Sequence, residues 1–200
     1  DELEPPARNE VSAQPYDAQQ LLIDLEPTAA RLLDRHLGIA DDWLPHEYIP
    51  YSQGRDFDKE PWTPDQPRLS GVARTAFEVN LLTEDNLPYY HLALEKFLPD
   101  RSVWREWNGL WTAEEGQHAI AIRSYLLTTR NCDPYELEDD RMATMSTGWE
   151  PNWQKPAEVF AYTSAQELAT RVSHRNTGKI TDDETAFRLM KHIAADENHH

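Results

Sequence analysis

The chain has 200 residues, 28% charged and 39% hydrophobic, and its 36 acidic against 19 basic residues give a net charge of -17. No stretch approaches the ~18 uninterrupted apolar residues of a membrane span, and the acidic balance repels nucleic acid and anionic lipid, so an integral membrane protein and a polyanion binder are both excluded. Cys132 is the single cysteine, which rules out an internal disulfide and cysteine-built zinc or iron–sulfur sites; a cytoplasmic compartment is favoured, and any metal has to be held by Asp, Glu and His.

Residues 1–17, acidic and proline-bearing, predict a flexible leader unlike a signal or transit peptide, ahead of a single all-α domain over 18–200. The first helix starts after Asp17, in a capping box with Gln20, carries Leu21, Leu25, Leu32 and His36 on its stripe, and stops at Gly38. From Ile39 to about Leu69, prolines and aromatics (DDWLPHEYIPY, EPWTPDQP) predict an ordered loop laid over the body. A second helix runs from about Ser70 to Phe97 with a kink or break at Pro88, a third from Ser102 to about Arg130, and a short one from Asp133 to Met145. A fifth spans about Pro156 to Asn176, ended by Thr177 and Gly178. The last opens at Thr181, in a capping box with Glu184, and continues to His200. The pattern is still helical at His200, so further helices are expected beyond it, with an appended tag as the alternative source of His199 and His200.

One short motif repeats. Glu-x-x-His occurs at Glu115 and His118 on the third helix and at Glu197 and His200 on the last. Residues three apart on a helix lie about 60° apart and ~4.5 Å along the axis, so both side chains of a pair reach one ion. The first pair falls on the stripe of Trp104, Trp107, Trp111, Ile122 and Tyr125, the second on that of Phe187, Met190 and Ile193. A carboxylate buried there needs a cation or a basic partner. Glu114 and Asp196, each directly before a motif Glu, can accept from the ligating imidazoles. Glu84 lies on the stripe of Phe77, Leu87 and Leu94, and Glu167 shares a polar inner row with Phe160, Thr163, Thr170 and His174. One Glu from each of two helices plus Glu-x-x-His from each of two others is the ligand set of ferritin-like di-iron or di-manganese carboxylate bundles. Oxygen-rich donors with one imidazole per ion suit iron or manganese better than structural zinc. Two alternatives stay open: each Glu taken singly also reads as a solvated helix-face acid, and the second pair could be Asp196 with His199.

Five segments, WLPHEYIP from Trp43, TEDNLP from Thr83, WTAEEGQH from Trp111, QELATRVSHRNTGK from Gln166 and ADENHH from Ala195, resemble in order and spacing the soluble acyl-[acyl-carrier-protein] desaturase family, particularly its actinobacterial members. The resemblance runs from about Leu21 to His200. It implies a ferritin-like four-helix bundle core with additional helices around a non-haem di-iron centre of two Fe, with Glu84 and Glu167 as terminal ligands, Glu115 and Glu197 bridging, and His118 and His200 as one imidazole per iron. It also implies Thr170 beside the oxygen-binding side of the cluster and Trp43 with Asp196 as an electron route towards His118. The activity implied is desaturation of a fatty acyl chain on acyl carrier protein, using O2 and electrons from a ferredoxin-like donor, in a homodimer with further helices after the second motif. Family members often carry Arg directly before the ligand His, where this chain has Gln117 and His199. Acyl carrier protein is acidic, so docking requires a basic patch, for which Arg68, Arg74, Arg171, Arg175 and Lys179 are candidates. The alternatives are a ferritin-like iron-oxidising protein and a truncated, non-catalytic relative.

Overall fold

The computed structural model describes residues 17–200, and among these no strand is formed. Apart from Asp17, the expected leader lies outside the described residues. The helices are α1 (Ala18–Ile39), α2 (Gly71–Glu84), α3 (Leu87–Glu95), α4 (Val103–Thr128), α5 (Pro134–Thr147), α6 (Pro156–Lys179) and α7 (Glu184–Asp196). Short polar side chains start five of them: Asp17 accepts from Gln19 N, Ser70 from Ala73 N, Ser102 from Arg105 N, Asp133 from Tyr135 N and Asp183 from Ala186 N. Each bond satisfies an amide that a helix start otherwise leaves without a partner.

Helix α2 packs on α4, α4 on α7, α7 on α6 and α6 back on α2, which closes a four-helix bundle; α1 and α3 lie against α4, and α5 against α2. Two apolar clusters fill it. One joins Phe77, Leu81, Ala121, Ile122, Tyr125, Leu189, Met190 and Ile193. The other joins Leu22, Leu94, Trp111 and Val159, flanked by Trp104, Trp107 and Phe160. On α4 the buried Glu115 and His118 come between Trp111 and Ala121. Glu84 likewise falls between Leu81 and Leu94, so the helices carry a polar layer bounded by apolar ones. No helix of the described residues is long and apolar enough to cross a membrane.

The proline-rich segment packs on the bundle as expected, burying Trp43, Ile49 and Leu69. It is tied at its far end by Arg130 Nε donating to Gln66 Oε1 and by Asn131 Oδ1 accepting from Arg68 N and Leu69 N. The long second helix breaks at Asp85–Asn86, and Pro88 occupies the first turn of α3, where a missing N–H costs nothing.

Other boundaries differ from the sequence expectation. Helix α1 passes Gly38 and turns Leu22, Ala29 and Leu33 inward, leaving Leu25 and Leu32 41% and 58% exposed. Apolar residues surround this helix, so its contact with α4, rather than its own period, selects the buried edge. Helix α6 runs through Thr177 and Gly178, because Gly178 is a point of close helix crossing rather than a stop: a Cβ there would lie 3.1 Å from Met190 Cβ. Asp183 caps α7 in place of Thr181, whose hydroxyl accepts from Asp183 N. Phe187 points outward, its inward places taken by Ala186 and Leu189.

Candidate metal centre

Each expected ligand reaches the polar layer through a local feature. Glu84 is the last residue of α2, just before the break. Glu115 and His118 are one helical turn apart in α4, and Glu167 lies in mid α6. Regular helix α7 ends at Asp196, yet Glu197 N still donates to Ile193 O and His200 N to Asp196 O at 3.2 Å, so the Glu197–His200 spacing stays helical. All six side chains converge. Glu84, Glu115, His118 and Glu197 offer ligand atoms within 4.8 Å of one another, and so do Glu115, Glu167, Glu197 and His200. Glu115 and Glu197 belong to both groups.

The shared carboxylates are divided between the two sides. Glu115 turns Oε2 to His118 Nδ1 at 3.1 Å and Oε1 to His200 Nδ1 at 2.7 Å. Glu197 Oε1 is 3.4 Å from His118 Nδ1, while its Oε2 accepts from Thr170 Oγ1 at 2.7 Å. Glu84 Oε2 is 4.0 Å from His118 Nδ1, and Glu167 Oε2 is 3.3 Å from His200 Nδ1. Behind the rings, His118 Nε2 donates to Asp196 Oδ2 at 3.3 Å and His200 Nε2 to Glu114 Oε2 at 3.3 Å. Both imidazoles are thereby oriented with Nδ1 towards the shared carboxylates, as outer partners do for metal-ligating histidines. Trp43 Nε1 donates to the same Asp196 oxygen at 2.6 Å, and its ring stacks 6.3 Å from that of His118. Asp196 therefore lies one layer behind the cluster, and the two groups contain Glu197 and His200 rather than Asp196 and His199.

Two histidines that the sequence argument left without a role join this layer. His36 Nε2 donates to Glu114 at 2.9 Å, and His174 Nε2 to Glu84 Oε1 at 2.9 Å. Spacing carried a signal for His174, which follows Thr170 by four residues on one face of α6. Nothing local pairs His36 with Glu114, 78 residues away.

Packing so many ionisable groups together displaces their proton affinities. Burial, reinforced by the charge of Glu115, pushes Glu84 up to about 8, and burial pushes Glu167 up to about 8 against its bond with His200. For Glu115, burial and the charge of Glu197 push upward, but the charge and hydrogen bond of His118, with the bond from His200, bring the carboxyl down to about 2. Glu197 is held low in spite of burial by its bonds with His118 and His174. Burial alone would depress the imidazoles; instead the Glu115 charge and the bond to Asp196 raise His118, bonds to Glu114, Glu115 and Glu167 raise His200, and bonds to Glu197 and Glu84 bring His174 to about 9.

The residues fit a pair of divalent cations. Glu197 Oε1 is buried with no well-formed hydrogen bond, the His118 and His174 nitrogens standing 3.4 and 3.3 Å away. Four carboxylates, those of Glu84, Glu115, Glu167 and Glu197, balance two such ions in charge. Carboxylate oxygens with one imidazole nitrogen per group suit iron or manganese. An open cleft of about 680 Å³ reaches Glu167, Glu197 and His200, walled by Leu33, Trp104, Trp107, Trp111 and Phe160.

Comparison with known proteins agrees with this arrangement. The family described as "Fatty acid desaturase" matches residues 17–200. DesA1 of Mycobacterium tuberculosis, which carries a name as an acyl-[acyl-carrier-protein] desaturase, is 45% identical over 90% of this chain, and the match covers 57% of DesA1. Stearoyl-[acyl-carrier-protein] 9-desaturase 6 of Arabidopsis thaliana is 31% identical over 79% of this chain and 43% of its own length. The chain thus spans between two fifths and three fifths of these relatives. The X-ray structure of DesA2 from Mycobacterium tuberculosis, also named as an acyl-ACP desaturase, superposes with a TM-score of 0.65 at 30% identity, covering 90% of this chain and 65% of that one. The ferritin-like bundle expected from the ligand pattern is the fold observed.

Proposed function

Because the chain belongs to the fatty acid desaturase family, we propose that it is an acyl-[acyl-carrier-protein] desaturase, which removes a pair of hydrogens from adjacent methylenes of a carrier-bound fatty acyl chain. The cofactor is a non-haem di-iron centre, O2 is the co-substrate, and a ferredoxin-like protein supplies the electrons. The observation that carries this reading is the meeting of the Glu167, Glu197 and His200 side of the two carboxylate–imidazole groups with a cleft walled on one side by Trp104, Trp107, Trp111 and Phe160. Bound irons supply oxygen activation, the chemistry that side chains lack for an unactivated C–H bond.

The chain's own residues do the rest. Glu84 with His118 and Glu167 with His200 would each hold one iron, and Glu115 and Glu197, which belong to both groups, would be shared between the two. Asp196 and Glu114 fix the imidazole orientation. Thr170, donating to Glu197 Oε2, steers a bridging carboxylate. Trp43, bonded to Asp196 and stacked near His118, is the electron route from the surface loop. Trp104, Trp107, Trp111 and Phe160 give the acyl path an apolar wall. The acidic carrier docks on the basic row Arg171, Arg175 and Lys179 of α6, of which Arg171 also lines the cleft. The working form is a cytoplasmic homodimer.

The test is mass analysis of long-chain acyl carrier protein incubated in air with the iron-loaded chain, ferredoxin, its reductase and NADPH. Loss of a hydrogen pair, abolished by Glu115→Ala, supports the reading. No change in a sample holding about two irons per chain counts against it, and iron uptake far beyond that ratio favours iron handling instead.

A further inference from the structure

His174 is 1% exposed, yet nothing in the proposed chemistry uses it. Its Nε2 donates to Glu84 Oε1 at 2.9 Å and lies 3.3 Å from Glu197 Oε1. Its Nδ1 is buried with no partner at all. Buried polar atoms are nearly always bonded, so an imidazole kept in the core with one nitrogen orphaned has its other nitrogen as its reason to be there. The neighbouring layer offers a contrast. Glu167 accepts from His200, itself an expected ligand, and has no further side-chain donor among the described residues. Glu84 alone of the two outer carboxylates is gripped by an imidazole that stands outside both metal-capable groups.

We infer that His174 is a positioning residue: it holds the Glu84 carboxylate in place through Nε2–H···Oε1 and so sets the affinity of the ion bound on the His118 side. Glu84 needs such a hold because it ends α2 immediately before the break at Asp85–Asn86. There the backbone no longer fixes the side chain as it does for Glu115 in mid α4. The inference rests on the metal-centre reading above, and its test separates the two.

The probe is Co(II) alone, titrated into the metal-free chain and followed by calorimetry and visible absorption. Two variants differ in reach. Gln at 174 places its amide N–H near the position of Nε2 and can still donate to Glu84. Asn places it near Nδ1 and cannot. His174→Asn is expected to weaken one of about two ions by ~10–100-fold, the usual effect of losing an outer partner, and leave the other within ~2-fold. His174→Gln stays within ~3-fold of wild type at both ions, taken as the margin of a conserved hydrogen bond. In a Glu84→Ala background, His174→Asn adds nothing, since its partner is already gone. Equal behaviour of the Asn and Gln variants, whether both like wild type, both weakened alike or both unfolded in circular dichroism, overturns the inference while the metal centre stands. A wild-type chain that takes up no Co(II) removes the metal centre and the inference with it.

Discussion

Gly178 offers a direct test of how α6 and α7 hold the candidate centre together. In a free helix, Gly→Ala gains about 1 kcal/mol through backbone entropy and shielding. At position 178 an added Cβ would meet Met190 Cβ at 3.1 Å and the Phe187 carbonyl oxygen at 3.4 Å, both on α7 and neither able to swing aside. Overpacking of this kind costs about 1–3 kcal/mol, so Gly178→Ala is expected to be neutral to destabilising by about 2 kcal/mol. Gly178→Val, with two more carbons in the same gap, should lose about 3 kcal/mol. For a chain of this size 1 kcal/mol moves Tm by about 2–4 °C, which puts the valine variant about 6–12 °C below wild type. Gly109 is the control: it is exposed in α4 with nothing within 4 Å of its Cβ position, and Gly109→Ala should gain up to about 1 kcal/mol. Thermal unfolding by far-ultraviolet circular dichroism, without metal, compares the same substitution at both sites. If Gly178→Ala stabilises as much as Gly109→Ala, the helices are not in contact there and the close-crossing argument is wrong. Because α6 carries Glu167, Thr170 and His174, and α7 leads into Glu197 and His200, the valine variant should also weaken metal binding.

Further outcomes are accessible to similar measurements. Trp43 Nε1 and His118 Nε2 donate to the same Asp196 oxygen, so Asp196→Asn gives both of them either an uncharged amide oxygen or an amide N–H, and should lower Co(II) affinity about 10–100-fold; unchanged affinity would show that the bond behind His118 is immaterial. In the metal-free chain, Glu84 and Glu167 are raised to about 8, so cations must expel their protons to bind. Affinity should therefore climb between pH 6 and 9, with proton release seen by an indicator dye in weak buffer. The same shifts set the sign for stability. A group raised in the folded state stabilises it below the unfolded value, 6.5 for His174, and that stabilisation is lost as pH rises through about 9. The metal-free Tm should accordingly fall over this range, and a flat profile would contradict the buried cluster. Asn131→Ala strands the amides of Arg68 and Leu69, now 2.8 and 2.9 Å from its Oδ1, at about 1–3 kcal/mol each; chemical denaturation gives the loss, and a change below about 0.5 kcal/mol would mean that water replaces the side chain.

Much of this was legible in the chain itself. Helix existence and the two Glu-x-x-His pairs follow from local rules, because a helix repeats every 3.6 residues and residues three apart share a face whatever else surrounds them. Glu84 and Glu167 could be picked out because acids on otherwise apolar or inner rows demand compensation. The same local rules fail where a residue's role depends on a partner far along the chain. Period could not choose between the Leu22 and Leu21 edges of α1, since α4 makes that choice. Gly178 read as a helix stop because glycine commonly is one, and only the approach of Met190 shows it to be a packing contact. The grip of His174 on Glu84 spans 90 positions, and that of His36 on Glu114 spans 78. The sequence determined which acids and histidines share a face of α4 and of the turn that ends α7, since that spacing is a property of one helix. Tertiary structure decided which of them meet, because hydrogen bonds and ion pairs act over a few ångströms and only the packing of α1, α2, α4, α6 and α7 brings these distant atoms within that range.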